Sequence, residues 1–353
     1  MDVSEARWCL QLASRCALRG LGLVEPNPLV GCVLVRPGAQ ALAQRVIGLG
    51  HHRRFGQAHA EVEALASAQR QGHDARGSTA YVTLEPCAGH GRNPPCVDAL
   101  LRAGVARVVF AQADPSPAKG GGAQRLREAG VACEQSGACA IATALSAPWL
   151  HRLRTDLPWV IAKWAQTIDG RLATGAGSSQ WITGARARLA VQRLRTSADA
   201  VITGFGSVQA DDPRMTVREV PVRRAPRRLV LGGDARARCA RSWRIDEPAP
   251  GHAPGEWVEG RADLRALLVR LRSEGAHTVM VEAGPRLLGA FLRQGLVNEA
   301  HVHTGAVLLA DARAQSIGAA EEPAIEPLGA GQRWTRLLTR ARGDDVLTVY
   351  RPA

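Results

Sequence analysis

His59-Ala60-Glu61, then Pro86-Cys87, then Cys96 after the insert Ala88-Gly89-His90-Gly91-Arg92-Asn93-Pro94-Pro95, bring one imidazole, one carboxylate and two thiols into one stretch of chain. His59, Cys87 and Cys96 can close around a single zinc ion. Zinc held by three protein ligands keeps its fourth position for water. The metal lowers that water's pKa towards neutrality. Glu61 follows His59 too closely for both to reach one ion easily from a helix, and it is better placed to move protons. His-x-Glu followed by Pro-Cys-x-x-Cys is the pattern of zinc nucleobase deaminases, where the Glu is general acid/base and not a ligand. The longer insert fits that general pattern only loosely. A structural zinc knot is the alternative. Such sites are closed by four protein ligands, and His90 is the convenient fourth.

Outward from this stretch, strand-like and helix-like runs alternate. Residues 30–35, 79–84 and 105–111 read as strands, and 5–18, 58–70, 95–102 and 123–129 as helices. Such alternation argues α/β layering with a mainly parallel sheet. His59 and Glu61 then start a helix, Cys87 follows a strand and Cys96 opens the next helix. A second α/β series begins at Trp159. There 159–164, 199–202, 228–231, 278–281 and 346–350 read as strands, and 185–195, 262–272 and 285–294 as helices. Residues 137–158, with weak periodicity and two prolines, read as the junction. A chain of 353 residues is comfortable for two domains, here 1–150 and 151–353.

No apolar run reaches membrane-spanning length. The acidic start Met1-Asp2-Val3-Ser4-Glu5 lacks a signal peptide's basic and apolar regions, so a cytoplasmic location and no membrane partner are expected. Eight cysteines in a chain this size do not make a disulfide scaffold. Cys9, Cys16, Cys32, Cys133, Cys139 and Cys239 read as small buried apolar residues. The net charge of +13 reflects in part an Arg-rich composition and in part suggests an acidic partner, such as a phosphorylated small molecule. Aromatic residues, at 4%, are too few for a base-stacking platform, and no nucleic-acid partner is expected. Lysine occurs only at Lys119 and Lys163. In a chain that writes Arg almost everywhere, a lysine can mark a place where a planar guanidinium fails.

In the second half, Val281-Glu282-Ala283-Gly284-Pro285-Arg286-Leu287-Leu288-Gly289 reads as strand, glycine turn and helix. The N–H groups of such a turn can cradle a phosphate, and Glu282 would emerge at the strand's carboxyl end, where α/β sheets place ligands. Thr203-Gly204-Phe205-Gly206-Ser207 also follows a strand, but lacks the spacing of a dinucleotide fingerprint. Asp211-Asp212-Pro213 could cap a turn or contact a ligand.

Taken in order, these segments resemble the bifunctional deaminase/reductase family of riboflavin biosynthesis, nearly end to end. Pro26-Asn27-Pro28-Leu29-Val30-Gly31 looks like its opening substrate loop, with Asn27 as a substrate contact. The zinc motif matches, long insert included. Asp114-Pro115-Ser116-Pro117 is similar to its D-P-N-P segment, with Ser116 for the usual Asn. Lys163-Trp164-Ala165-Gln166-Thr167-Ile168-Asp169-Gly170-Arg171, Ser179-Gln180-Trp181-Ile182-Thr183, Ala210-Asp211-Asp212-Pro213 and the Glu282 segment follow in family order.

The resemblance implies a cytidine-deaminase-like α/β/α domain followed by a dihydrofolate-reductase-like α/β domain. It implies zinc-dependent deamination of a phosphoribosylamino-diaminopyrimidinone, then NADPH-dependent reduction of its ribosyl group to ribityl. It implies Zn²⁺ on His59, Cys87 and Cys96, with Glu61 shuttling the proton. NADPH would meet Ala165, Trp181, Ser207, Asp211 and the turn Gly284, Pro285, Arg286, Leu287, Leu288, Gly289 and Ala290. Substrate in the reductase would meet Ser179, Arg195, Met215, Arg218 and Glu282, with Lys163 catalytic and Arg195 and Arg218 as phosphate forks. A homo-oligomer, dimer or tetramer, is expected. Three departures stand out: Gly232 where the family writes Asp, and Ala306 and Ala310 where a P-x-L-L-G segment would carry Pro and Gly.

Overall fold

The computed structural model describes residues 3–222, 224–260, 262–318 and 331–353. The chain divides into two compact units, Met1–Arg154 and Thr155–Ala353. No helix among the described residues is long and apolar enough to cross a membrane.

The first unit is built on β1 (Gly31–Val35), β2 (Val46–His51), β3 (Thr79–Leu84), β4 (Arg107–Gln112) and β5 (Ala132–Gln135), in the order β2-β1-β3-β4-β5. β1 runs antiparallel to β2 and β3, whereas β3, β4 and β5 are mutually parallel. The sheet is therefore mixed, not mainly parallel as the alternation predicts. The reversed strand is β1, antiparallel to both β2 and β3, because β2 returns beside it without the crossover that parallel pairing needs. The β2 sequence, Val46-Ile47-Gly48-Leu49-Gly50-His51, carries two glycines and does not read as a strand. Those glycines admit the helix Ala60–Arg70. A Cβ at Gly48 would overlap the carbonyl of Ala64, and one at Gly50 the carbonyl of Ala60. The helix meets them with Ala60, Ala64 and Ala68, all essentially inaccessible to solvent. This close approach sets the position of His59, which caps the helix, and of Glu61 in its first turn.

On the sheet's other face the helix Val3–Ala17 buries Ala6, Cys9, Leu10 and Ala13 at helical spacing. Cys9, Cys16, Cys32, Cys133 and Cys139 are buried free thiols. Cys239 departs from that expectation: it is exposed, ending the short helix Ala235–Cys239. Residues 137–158 are more ordered than their weak periodicity suggests, with helices Ala140–Leu145 and Ala147–Arg154.

The second unit holds β6 (Trp159–Gln166), β7 (Ala200–Gly204), β8 (Arg227–Leu231), β9 (Glu256–Val258), β10 (Thr278–Val281), β11 (Glu299–Thr304), β12 (Trp334–Arg342) and β13 (Asp345–Pro352). Their order is β12-β13-β11-β6-β10-β7-β8-β9, parallel from β11 to β9 and antiparallel from β12 to β11. β6, β7 and β10 run through the centre, covered on both faces, and read as continuous apolar runs. Asp199 fixes the start of β10 against β7, accepting from the backbone N–H of His277 and Thr278 at 2.8 and 2.9 Å.

Register puts the second site on one face of this sheet. His301 pairs with Lys163 and His303 with Ala165 across β11 and β6, and paired residues of parallel strands share a face. Val281 pairs with Ala162, so Glu282, the next residue, falls level with Lys163.

Candidate active sites

In the first unit the local chain path converges on three ligand atoms. His59 enters from a helix N-cap, Cys87 from the loop leaving β3, and Cys96 from the first turn of the helix Cys96–Arg102. Helix N-termini favour anionic groups, which suits thiolates. His59 Nδ1 lies 3.2 Å from Cys96 Sγ and 3.5 Å from Cys87 Sγ, and the three ligand atoms fall within 4.8 Å of one another. The Cys96 backbone N–H points at Cys87 Sγ at 3.4 Å. The Cys96 thiol's hydrogen bond is the main reason the Cys87 pKa falls to about 4, ahead of the His59 bond. One nitrogen and two sulfurs around a common point, one already a thiolate, is a donor set that fits zinc. His90 is exposed and outside the cluster, so among the described residues the group offers three protein ligands.

Glu61 is 3% exposed, and burial, with the nearby Cys87 charge, pushes its carboxyl up to about 7. Its Oε2 finds no hydrogen-bond partner among the described residues. A buried carboxyl titrating near neutrality with an unmet acceptor is suited to exchanging protons with a bound water or substrate.

Two supports went unassigned in the sequence. His52 stacks edge-on to His59, with ring centres 5.4 Å apart. Its Nδ1 is 3.0 Å from the Ala58 carbonyl and its Nε2 3.0 Å from Asn27 Nδ2, so a single neutral tautomer satisfies both. Burial lowers the His52 pKa, favouring that neutral form. Glu85 accepts from the N–H groups of Asp114 and Ala123 at 3.0 and 2.8 Å, tying the Asp114-Pro115-Ser116-Pro117 segment beneath the cysteine loop. Above His59 a cleft of about 90 Å³ opens between Asn27, Phe55, Arg92, Asn93 and Lys119.

In the second unit Glu282 is the hub. Its Oε1 is 3.1 Å from Lys163 Nζ, and its Oε2 is 2.8 Å from Arg195 Nη2 and 2.9 Å from Arg195 Nε. Burial pushes this carboxyl's pKa up, but Arg195 and then Lys163 outweigh it and hold it at about 2. Arg195 also donates to the Thr216 carbonyl at 3.0 Å, beside Met215. Its guanidinium is thus committed inside the protein. Arg218 instead anchors its backbone N–H on Gln192 and sends one weak bond to Thr216 Oγ1 at 3.4 Å.

Around that hub, Ser207 Oγ accepts from the Gly284 N–H at 3.0 Å, joining the first turn of the helix Phe205–Asp211, which follows β7 directly, to the N-terminus of the helix Pro285–Arg293. At the start of the latter helix Arg286 is exposed and Pro285 half-buried, Leu287 and Ala290 pack against the core, and Leu288 and Gly289 are buried in it. Asp211 receives Ser179 Oγ at 3.3 Å and Gln180 Nε2 at 3.2 Å, holding the loop that leads to Trp181. Trp181 is 67% exposed, with the Arg188 guanidinium 4.6 Å over its ring. Asp169, another residue without an assigned role, accepts from Thr167 Oγ1 and from the N–H groups of Leu309 and Ala310. It thereby steadies the departure from the P-x-L-L-G pattern, where Ala310 takes φ 50°. Gly232 and Gly233, at φ 85° and 80°, form a turn that Asp would enter only with strain.

Both halves match known families. Residues 3–112 match the cytidine and deoxycytidylate deaminase zinc-binding region, and residues 158–346 match the RibD C-terminal domain. The riboflavin biosynthesis protein RibD of Escherichia coli K12 is 39% identical over 95% of this chain and 96% of its own. That of Aquifex aeolicus is 37% identical over 81% and 83%. Acinetobacter baumannii RibD superposes with a TM-score of 0.77 at 34% identity, covering both chains fully.

The chain belongs to the RibD family. A solved structure from Thermotoga maritima, a diaminohydroxyphosphoribosylaminopyrimidine deaminase and 5-amino-6-(5-phosphoribosylamino)uracil reductase, has a TM-score of 0.80 at 27% identity. The fold is thus a cytidine-deaminase-like domain followed by a RibD reductase domain. The protein is a bifunctional enzyme for two consecutive steps of riboflavin biosynthesis, using Zn²⁺ for deamination and NADPH for reduction.

Proposed function

We propose that residues 1–150 deaminate 2,5-diamino-6-(5-phosphoribosylamino)pyrimidin-4-one and that residues 151–353 reduce the ribosyl arm of the product to ribityl. His59, Cys87 and Cys96 hold zinc, which when bound supplies an acidified water as nucleophile. Glu61, buried with its Oε2 unpartnered, would hold and pass on the proton that must reach the departing amino group. Asn27, fixed through His52, orients the pyrimidine. The carrying observation is the Glu61 carboxylate, buried with an unpartnered Oε2 beside a three-ligand cluster.

In the reductase, NADPH supplies a hydride. Ala165, Trp181, Ser207, Asp211 and residues 284–290 bind it, with the helix N-terminus at Pro285 facing a phosphate. Lys163 sits near the ribosyl group, held by Glu282. Ser179, Met215 and Arg218 contact substrate. Arg195 acts through Glu282, since its donors are already taken, which leaves Arg218 as the phosphate fork. The enzyme works as a cytoplasmic homo-oligomer.

Incubating the zinc-loaded protein with the diaminopyrimidine phosphoriboside, with and without NADPH, tests the pair of steps by mass spectrometry. The expected product without NADPH has one amino group replaced by oxygen. With NADPH it gains two hydrogens as well. Recovery of unchanged substrate in both cases would refute the assignment.

A further inference from the structure

We propose that Lys119, with Arg92, forms a phosphate-binding edge to the deaminase cleft and selects phosphorylated over dephosphorylated substrate. This inference rests on the reading of that cleft as the deaminase site.

Lys119 is one of two lysines in the whole chain. It lines the same cleft as His59, Asn27, Arg92 and Asn93. Among the described residues no carboxylate comes within ion-pair distance of Lys119 or Arg92. Arg92 is braced instead by the Phe55 ring, 4.6 Å below its guanidinium. That contact leaves the N–H edge of the guanidinium unspent.

The position of Lys119 is set by backbone. Its N–H donates to the Ser116 carbonyl at 3.2 Å, and its own carbonyl accepts from the Ala88 N–H at 2.9 Å. This stitches it to the loop between the two cysteines. Its ammonium then lies across Gly91. A Cβ at Gly91 would fall 2.5 Å from Nζ and 3.2 Å from Cε. The notch admits a compact ammonium, whereas a planar guanidinium is bulkier there.

Two cations with no carboxylate at ion-pair distance among the described residues, on one wall of a cleft, are matched to an anion brought by the ligand. The substrate's one permanent anion is its phosphate. Its pyrimidine must reach Glu61, so the phosphoribosyl arm runs along the cleft wall that Lys119 and Arg92 build. Charge-assisted bonds to phosphate are among the stronger polar contacts. Their loss shows in substrate affinity more than in turnover.

The test compares kcat/KM for the phosphorylated substrate and its dephosphorylated riboside, in zinc-loaded wild type, Lys119→Gln, Arg92→Gln and Gly91→Ala. Wild type should prefer the phosphorylated compound. Lys119→Gln should lower that preference by about tenfold or more, through KM. Gly91→Ala should lower it as well, by displacing an ammonium that is still present. A preference unchanged in Lys119→Gln, or rates for both compounds falling equally with full zinc retained, would overturn the proposal. Wild-type turnover of the phosphorylated substrate shows that the deaminase reading stands even where the Lys119 effect fails. If wild type deaminates neither compound, both fall together.

Discussion

Lys163 and Arg195 hold the same carboxylate, one on each oxygen of Glu282, at 3.1 and 2.8 Å. The side chains are 14%, 9% and 17% exposed, so this triad is largely withdrawn from water. Glu282 leaves a central parallel strand and lies level with Lys163, while Arg195 ends the helix Ala185–Arg195. The arrangement fixes an ammonium at the carboxyl end of the sheet, where α/β folds place their ligands. His303 shares the face; burial, and then Lys163, lower its pKa to about 3, which keeps it neutral. His303 therefore adds no second cation beside Lys163.

Lys163→Arg should impair reduction more than a conservative change suggests. The guanidinium is larger and planar, and Glu282 already carries one. Displacement by about 1 Å can cost roughly 10² in rate, and a fall of that order in reductase kcat/KM is expected. Wild-type steady-state constants in the variant would show that the Lys163 ammonium takes no part in reduction.

Acid should loosen the reductase unit through Glu282. Its folded pKa of about 2 lies below the ordinary 4.5. The ionised carboxylate therefore contributes stability that is fully present above pH 4.5 and lost as pH falls towards 2. The shift corresponds to roughly 3 kcal/mol. Glu282→Gln also strands two buried cations, which costs about 3–5 kcal/mol at neutral pH. Its deficit against wild type should narrow between these pH values when hydrogen exchange of β10 is followed. Parallel pH curves for the two proteins would count against the triad.

Ala310→Gly should stabilise the second unit by about 1 kcal/mol. Ala310 takes φ 50°, a left-handed conformation that an L side chain adopts at a cost. Its N–H bond to Asp169, at 3.0 Å, keeps it there. Thermal unfolding with the melting point unmoved or lowered would contradict the argument from strain.

Gly50→Ala should damage the zinc site from a distance. The new Cβ would meet backbone atoms of Ala60 and Ala64, which cannot swing aside as a side chain would. The helix carrying His59 and Glu61 must then shift. Weakened zinc affinity and slow deamination are expected, with reduction of already deaminated substrate preserved. Zinc affinity equal to wild type would mean that the strand–helix contact does not position the site.

The zinc cluster was legible because its chemistry demands fixed residue types in short contiguous motifs. His59, Glu61, Cys87 and Cys96 all lie in one neighbourhood, as their spacing requires. The central strands β6, β7 and β10 were equally plain, being continuous apolar runs. β2 was hidden by the glycines that let a helix touch it. β11, with His301 and His303, and β12, an edge strand rich in Arg and Thr, carry too little apolar pattern to read as strands. The commitment of Arg195 to Glu282 could not be read at all, because the two lie 87 residues apart. Residues 319–330 fall outside the described chain, and no expectation of a site fell there.

The central claim is that Glu61 moves protons beside zinc without binding it. Its most direct test is Glu61→Gln, measured for bound zinc and for deamination of the diaminopyrimidine phosphoriboside in the same preparation. One zinc per chain, with deamination lowered by about 10² to 10⁴, is the result expected of a lost general acid/base. Loss of the metal would make Glu61 a ligand, and near-normal deamination with zinc in place would contradict its role.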